Sequence, residues 1–215
     1  MSATLALREV AIALPGRVLI DALSIVIAPG EVLTVMGRSG VGKSSLLAWI
    51  AGTLEPPFTS GGEVWIGEES IAHLPPERRG IGILFQDDLL FPHLTVGANL
   101  AFALPSSLRP RQRRDEAIGA ALREADLEGF AHRRPETLSG GQRARVALLR
   151  ALLSKPRALL LDEPFGRLDR ALRRDVRAFV FEHARRRGLP TLLVTHDEED
   201  AHAAAGRVVE LGATS

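Results

Sequence analysis

The chain has 215 residues, with 25 Arg but only 2 Lys against 26 acidic residues, a formal net charge of +1, and neither Cys nor Tyr. That length suits one compact α/β domain with room for an inserted subdomain, and the near-neutral charge argues against a nucleic-acid partner held by bulk electrostatics. Without Cys, disulfides and thiolate metal sites are excluded, the fold needs no oxidising compartment, and the cytosol is the expected location.

The amino-terminal stretch alternates apolar and polar residues from Leu5 to Ile12 and again around Leu19 to Ile27, before a Pro29-Gly30 turn. Together with Glu63 to Gly67 it predicts a small antiparallel layer. Arg8 and Glu9 interrupt it too early for a secretory leader. Four later apolar runs each stop at a polar residue or Gly: Val32 to Met36 at Gly37, Ile81 to Phe85 at Gln86, Ala158 to Leu161 at Asp162, and Thr191 to Thr195 at His196. Such runs suit strands buried on both faces of a mainly parallel sheet, although buried helix has the same signature. Ligands of open α/β sheets sit beyond the carboxyl ends of the strands, so one site could receive Gly37, Gln86, Asp162 and His196.

Between Asp87 and Ser139 the pattern turns helical, with Ile118, Ala121, Leu122 and Ala125 at helical spacing and Pro105, Pro110 and Pro135 as breaks. This predicts a helical subdomain over about 88–153, inserted into a single domain of residues 1–215. The longest run without charge, Leu89 to Leu108, holds Pro92, His93, Asn99 and Pro105 and does not span a bilayer. A membrane role would be borrowed from a partner.

The chemistry concentrates in three segments. Gly37-Arg38-Ser39-Gly40-Val41-Gly42-Lys43-Ser44 is a phosphate-loop pattern between a strand and a helix that begins near Ser45. Its glycines let the backbone wrap an anion, its amides and the helix end point inward, Lys43 reaches the β/γ-phosphates, and the Ser44 hydroxyl can ligate Mg²⁺. One of the chain's 2 Lys stands here, where a compact ammonium is needed. Asp162 and Glu163 follow an apolar strand: the first can join a Mg²⁺ shell and the second can accept a proton from attacking water. Leu138-Ser139-Gly140-Gly141-Gln142 opens a helix with Val146, Leu149 and Leu153 on one face, making a second anion-binding helix end. A second such end, beside a loop that already serves one nucleotide, suggests a site shared by two subunits.

On these motifs, in this order, the whole chain resembles the ATP-binding-cassette family, a phosphate-loop NTPase fold with a mainly parallel sheet, an antiparallel β layer and an inserted helical subdomain. The stretch Leu90-Phe91-Pro92-His93-Leu94-Thr95-Val96 looks like importer ATPases, and Ile81 to Asp87 and Leu138 to Leu153 resemble one importer-ATPase subgroup, with thiamine-importer ATPases a more distant likeness. The resemblance implies Mg-ATP bound by Gly37, Arg38, Ser39, Gly40, Val41, Gly42, Lys43, Ser44 and Ser45, and a Mg²⁺ near Ser44, Gln86 and Asp162. It implies Glu163 as catalytic base, His196 on the γ-phosphate, and Gln86 near the metal and the lytic water. Ser139, Gly140, Gly141 and Gln142 would close on the nucleotide of the opposite subunit. A homodimer, a separate membrane permease, an indirect solute-binding protein and a peripheral place on the cytoplasmic face of the membrane follow from the same likeness, with no nucleic acid. An exporter subunit is disfavoured by the stretch after Gln86. A soluble module acting on DNA or ribosomes would call for tandem cassettes, a coiled-coil insertion or zinc-binding Cys, and Glu163 argues against a binding module without turnover.

The sequence departs from the family pattern in places. Where an aromatic residue usually stacks on adenine, residues 13–19 read Ala-Leu-Pro-Gly-Arg-Val-Leu. Arg167 replaces the usual Ala before Leu168-Asp169, either altering contacts across subunits or lying on the surface. The chain ends soon after His196, so the regulatory carboxyl-terminal domain of some importer ATPases is not expected. Lys155, His202, Arg109, Arg111, Arg113 and Arg114 are expected on solvated faces, and Arg185, Arg186 and Arg187 at a helix end.

Overall fold

The computed structural model describes residues 3–212, which form two compact units: 3–83, 157–163 and 181–212 in the first, 84–156 and 164–180 in the second. In the first unit, β1 (Leu5–Leu14) and β2 (Arg17–Ile27) form an antiparallel hairpin closed at Pro15-Gly16. β3 is the buried run Val32–Met36, and β4 (Thr59–Ile66) pairs antiparallel with both β1 and the short β5 (Glu69–Ser70). This layer has the order β2-β1-β4-β5. Strand β4 begins at Thr59, ahead of the predicted Glu63, because the small residues of 59–61 find partners on β1, Ala13 opposite Thr59 and Ala11 opposite Gly61.

The other sheet contains β6 (Ile81–Leu84), β7 (Ala158–Asp162), β8 (Thr191–Val194) and β9 (Val208–Glu210) in the order β6-β7-β8-β3-β9, with parallel pairing of β7 to β8, β8 to β3 and β3 to β9. The apolar runs of the sequence are its interior strands: Leu159, Leu160, Leu161, Leu192, Leu193 and Val194 are all fully buried. Covered on both faces, such strands lose the polar alternation of an exposed sheet. Two details differ from expectation. Phe85 lies beyond the end of β6 and is 42% exposed, and β9 is an edge strand of three residues, too short to show a period.

Helix α1 (Lys43–Ala51) buries Leu46, Leu47 and Ile50 in one core with Leu5, Ile12 and Ile27 of the antiparallel layer and Leu33, Leu160 and Leu192 of the parallel sheet. Burial of each such side chain contributes roughly 1.5–3 kcal/mol. The carboxyl end of α1 is held by Arg79, whose buried guanidinium donates to the carbonyls of Trp49, Ile50, Ala72 and Leu74.

The second unit is helical: α2 (Val96–Ala103), α3 (Arg111–Glu124) and α4 (Gly140–Leu153) share a core of Val96, Leu100, Ile118, Leu122, Val146 and Leu149. Pro110 stands at the start of α3, where a missing N–H costs nothing. Buried Asn99 bonds both the N–H and the carbonyl of Phe91, and the carbonyls of Leu94 and Thr95, so α2 fixes the loop before it. Arg114 differs from the solvated role expected of it: it is half-buried and donates to the carbonyls of Ala101 and Leu108. Helices α5 (Arg170–Arg186) and α6 (Glu198–Ala204) complete the chain's helices among the described residues.

Candidate nucleotide-binding site

In the first unit the loop between β3 and α1 is shaped by glycine. Gly37 has φ 149°, and a Cβ there would stand 2.7 Å from the Leu211 carbonyl oxygen, so a side chain cannot be accommodated where the backbone leaves β3. Gly42, with φ 108°, is the N-cap of α1 and packs against Leu19 and Ile20 of β2. The first amides of α1, those of Lys43, Ser44 and Ser45, have no helical carbonyl to bond and are available to an anion. Arg38, Ser39, Gly40 and Ser44 are exposed, whereas Val41 and Ser45 are half-buried. Lys43 is only 7% exposed, and its Nζ donates to the carbonyls of Gly37 at 2.8 Å and Arg38 at 3.2 Å. The ammonium is thus folded back into the curl of the loop.

The neighbouring strand ends bring the carboxylates. Asp162 closes β7, and its Oδ1 accepts a 3.1 Å hydrogen bond from Ser44 Oγ. Burial pushes the Asp162 carboxyl above the usual carboxylate range, Glu163 adds repulsion, and Ser44 and Lys43 oppose both. Glu163 takes the left-handed region at φ 45°, with its N–H bonded to the Val194 carbonyl at 2.9 Å. Such a conformation costs a non-glycine residue on the order of 1–3 kcal/mol and turns the side chain out of the strand's course. Its Oε1 lies 2.9 Å from Nδ1 of His196, which follows β8 and is 67% exposed. On the far side of His196, Asp197 caps α6 by accepting from the amides of Glu199 and Asp200. Sequence reasoning assigned Glu163 and His196 separate partners; here they hold each other.

The other predicted residues lie in the second unit. Gln86 is exposed in the loop after β6. Asp87 pairs with Arg167, and Asp88 accepts from Arg143 Nε at 3.2 Å, while Arg150 donates to the carbonyls of Asp88 and Leu89. Burial raises the Asp88 carboxyl and lowers the Arg150 guanidinium. Arg167, unusual at its position, therefore has a definite acidic partner on this loop. The segment from Gln86 to Leu90 borders a cavity of about 420 Å³ whose wall includes Gly140, Arg143 and Arg167.

Ser139 caps α4 in a reciprocal box: its Oγ accepts from the Gln142 N–H at 3.3 Å and its N–H donates to Gln142 Oε1 at 3.0 Å. The Ser139 Oγ is thus the acceptor that caps α4. Gly141 is buried, and a Cβ there would stand 3.3 Å from the Leu172 side chain, a tight approach of α4 to α5. Phe91 is half-buried and outside the helical core; its ring meets Phe102 at 5.0 Å and the Arg150 guanidinium at 5.6 Å.

Four residues that position this machinery carry no signal in the sequence pattern. Arg79 and Asn99 act through buried hydrogen bonds, Arg143 through its link to Asp88, and Arg17 through a bond to the Gly40 carbonyl. Among so many Arg, no spacing distinguishes the three that matter.

A family model described as ABC transporter matches residues 20–166. The chain is 49% identical over 199 residues to the uncharacterized ABC transporter ATP-binding protein YnjD of Escherichia coli, covering 93% of this chain and 91% of that one. It is 44% identical to the spermidine/putrescine import ATP-binding protein PotA of Lawsonia intracellularis, over 88% of this chain and 51% of the relative. With the putrescine transport ATP-binding protein PotG of Escherichia coli the identity is 40%, over 90% of this chain and 50% of the relative. The chain spans about half the length of these two import and transport proteins. The site's geometry and these likenesses agree: the chain belongs to the ABC transporter family, as an ATP-binding, ATP-hydrolysing subunit.

Proposed function

We propose that the chain energises an importer-type permease by binding Mg-ATP between two copies of itself and hydrolysing it. The observation that carries this reading is the cluster at the strand ends of the first unit: Lys43 inside its loop, Ser44 bonded to Asp162, and Glu163 beside them on His196. The loop amides and Lys43 would hold the β/γ-phosphates. Glu163 would orient water and take its proton, with His196 fixing the carboxylate and contacting the γ-phosphate. Gln86 and the Ser139 to Gln142 helix end would complete the site, the latter on the nucleotide of the second copy.

The donor set suits magnesium. A hydroxyl and a carboxylate 3.1 Å apart are hard oxygen ligands, and the raised Asp162 carboxyl lacks a full counter-charge. Mg²⁺ is commonly held by one or two protein oxygens plus substrate phosphates and water. Ser44 and Asp162 would hold it, and bound there it would neutralise charge developing on the transferred phosphoryl group.

No helix among the described residues is long and apolar enough to cross a membrane. The named relatives include import proteins, which supports a separate permease, a solute-binding protein acting through it, and a peripheral place at the cytoplasmic face. The test is Mg-ATP titration and phosphate release with the parent chain, Lys43→Ala and Glu163→Gln. Lys43→Ala should lose most affinity, and Glu163→Gln should bind ATP yet release no phosphate. ATP turnover surviving in Glu163→Gln would remove the proposed base.

A further inference from the structure

In the first unit, Glu163 is held at two points by the end of β8 and the turn after it. Its N–H donates to the Val194 carbonyl at 2.9 Å, and two residues later His196 Nδ1 meets its Oε1 at 2.9 Å. An ionised carboxylate only accepts, so Nδ1 carries the proton of that bond. The His196 side chain is 67% exposed, so packing does little to aim the ring. Its direction comes from the backbone that carries it. Between the two points stands Thr195, just beyond β8 and 1% exposed, with its N–H on the Val35 carbonyl at 3.3 Å. Its hydroxyl oxygen accepts the Asp197 N–H at 3.0 Å, and its proton goes to Oδ2 of Asp200 at 3.3 Å, a side chain itself buried in α6. The residues on either side of His196 are thus tied to each other and to α6 through one buried oxygen. Valine has the same shape and suits a buried position beside a strand, where an unpaired hydroxyl is costly. A hydroxyl stands there with both of its bonds made.

We propose that Thr195 is a positioning residue for ATP hydrolysis: its buried hydroxyl, bonded to Asp197 and Asp200, fixes the turn that carries His196 and so holds the Glu163 carboxylate in place. The inference rests on the reading of Glu163 as the base. Thr195 acts through His196 and not on the reacting atoms. Without the hydroxyl, the Asp197 N–H loses its acceptor and the turn gains freedom, so the exposed ring leaves Glu163 for water. Glu163 then keeps its main-chain bond but loses the partner that aims its side chain. A base displaced by a fraction of an ångström slows chemistry, whereas nucleotide affinity belongs to the phosphate loop. Turnover should therefore fall while binding stays.

The experiment compares the full chain with Thr195→Val, Thr195→Ala and Thr195→Ser by two measurements, made below the melting transition of each. The first is nitrogen NMR of the histidine rings in the nucleotide-free chain at pH about 8, above the ordinary histidine range, with the His196 signal identified by its loss in His196→Ala. The parent should show His196 protonated on Nδ1. Val and Ala should move it toward the Nε2-protonated form of a ring in water, and Ser, which keeps the hydroxyl, should restore the parent signal. The second is Mg-ATP turnover. In Val and Ala, kcat should fall about ten- to a hundredfold with KM changed less than about threefold, and Ser should recover most of the loss. A Thr195 that served stability alone would lower the melting temperature of Val and Ala and leave both the ring signal and kcat of the folded chain unchanged, which would overturn the proposal. So would a loss in Ser as large as in Val, or a rise in KM that accounts for the whole effect. Should Thr195→Val fail to fold, Thr195→Ala carries the same two readouts. Parental turnover in Glu163→Gln would overturn the reading of Glu163 as base, and the role of Thr195 in hydrolysis with it, even where the ring signal moves as expected.

Discussion

Lys43 is satisfied by its own loop, through the carbonyls of Gly37 and Arg38, so phosphate binding must exchange those bonds for charge-assisted ones. Lys43→Ala is expected to weaken Mg-ATP by on the order of 1.5–3 kcal/mol, measured by calorimetry. Arg should not substitute, because the position is only 7% exposed and the wider, planar head has no matching space. Asp162 carries the opposite signature, a carboxylate raised by burial. Between the ordinary aspartate value and the raised one, the folded chain keeps a proton that the unfolded chain has released, so stability falls as pH rises through that window. Asp162→Asn should therefore raise the melting temperature of the nucleotide-free chain at neutral pH while weakening Mg-dependent ATP binding. The stabilisation should fade as the pH is lowered and be gone below about 3, where aspartate is protonated in both states. A variant less stable than the parent at neutral pH would mean that the Ser44 bond outweighs burial. Asp162 and Glu163 were legible as carboxylates following an apolar run and Lys43 as the lysine of a phosphate-loop pattern, but the pairing of Glu163 with His196 was not, because it depends on the left-handed turn at Glu163, which no composition announces.

At the level of elements, strands were legible wherever burial on two faces removed alternation, as in β7 and β8, and illegible where neighbours alone set them, as in β9 and the start of β4. Helix α1 shows the same division. Its start follows from glycine and Lys43, whereas its end depends on Arg79, which meets four carbonyls across two separate turns. Arg79→Met would leave those carbonyls without their donor and should cost on the order of 3 kcal/mol, read by denaturant unfolding, with ATP affinity falling as α1 loosens. A loss below about 0.5 kcal/mol would show that water replaces the guanidinium without penalty. The loop before α2 offers a contrast. Asn99 grips the backbone of Phe91, not its ring, and the ring packs with Phe102, which is 73% exposed. Phe91→Ala should cost about 1 kcal/mol or less in the isolated chain and leave its ATPase unchanged. Co-purification with the permease should nevertheless drop by roughly tenfold or more if this aromatic pair is the docking anchor. A large fall in melting temperature would instead assign the ring to structure.

The whole molecule holds one phosphate loop, in its first unit, and one capped signature helix, in its second. If both serve nucleotides, two copies related by a two-fold axis give two complete sites, each made of the loop of one chain and the Ser139 end of the other. Such an interface is isologous, so any change to the helix end acts twice. Hydrolysis would dissolve it by removing the γ-phosphate that both chains grip. Glu163→Gln should therefore accumulate ATP-bound dimers, because the carboxamide still fills the site but cannot accept the proton of water. Ser139→Arg breaks the cap that Ser139 Oγ and Gln142 share and in such a shared site would set a third positive charge against Lys43 and Mg²⁺ across the nucleotide. Losing the cap alone costs about 1 kcal/mol within the helix, too little to unfold the chain. The double variant should thus keep its melting temperature within a few degrees of Glu163→Gln, bind ATP with its intact loop, and remain monomeric by light scattering at concentrations where Glu163→Gln is dimeric. Persistence of the ATP-dependent dimer in the double variant would contradict a shared site, since no arrangement that buries Ser139 against a partner's nucleotide accommodates the larger, charged side chain.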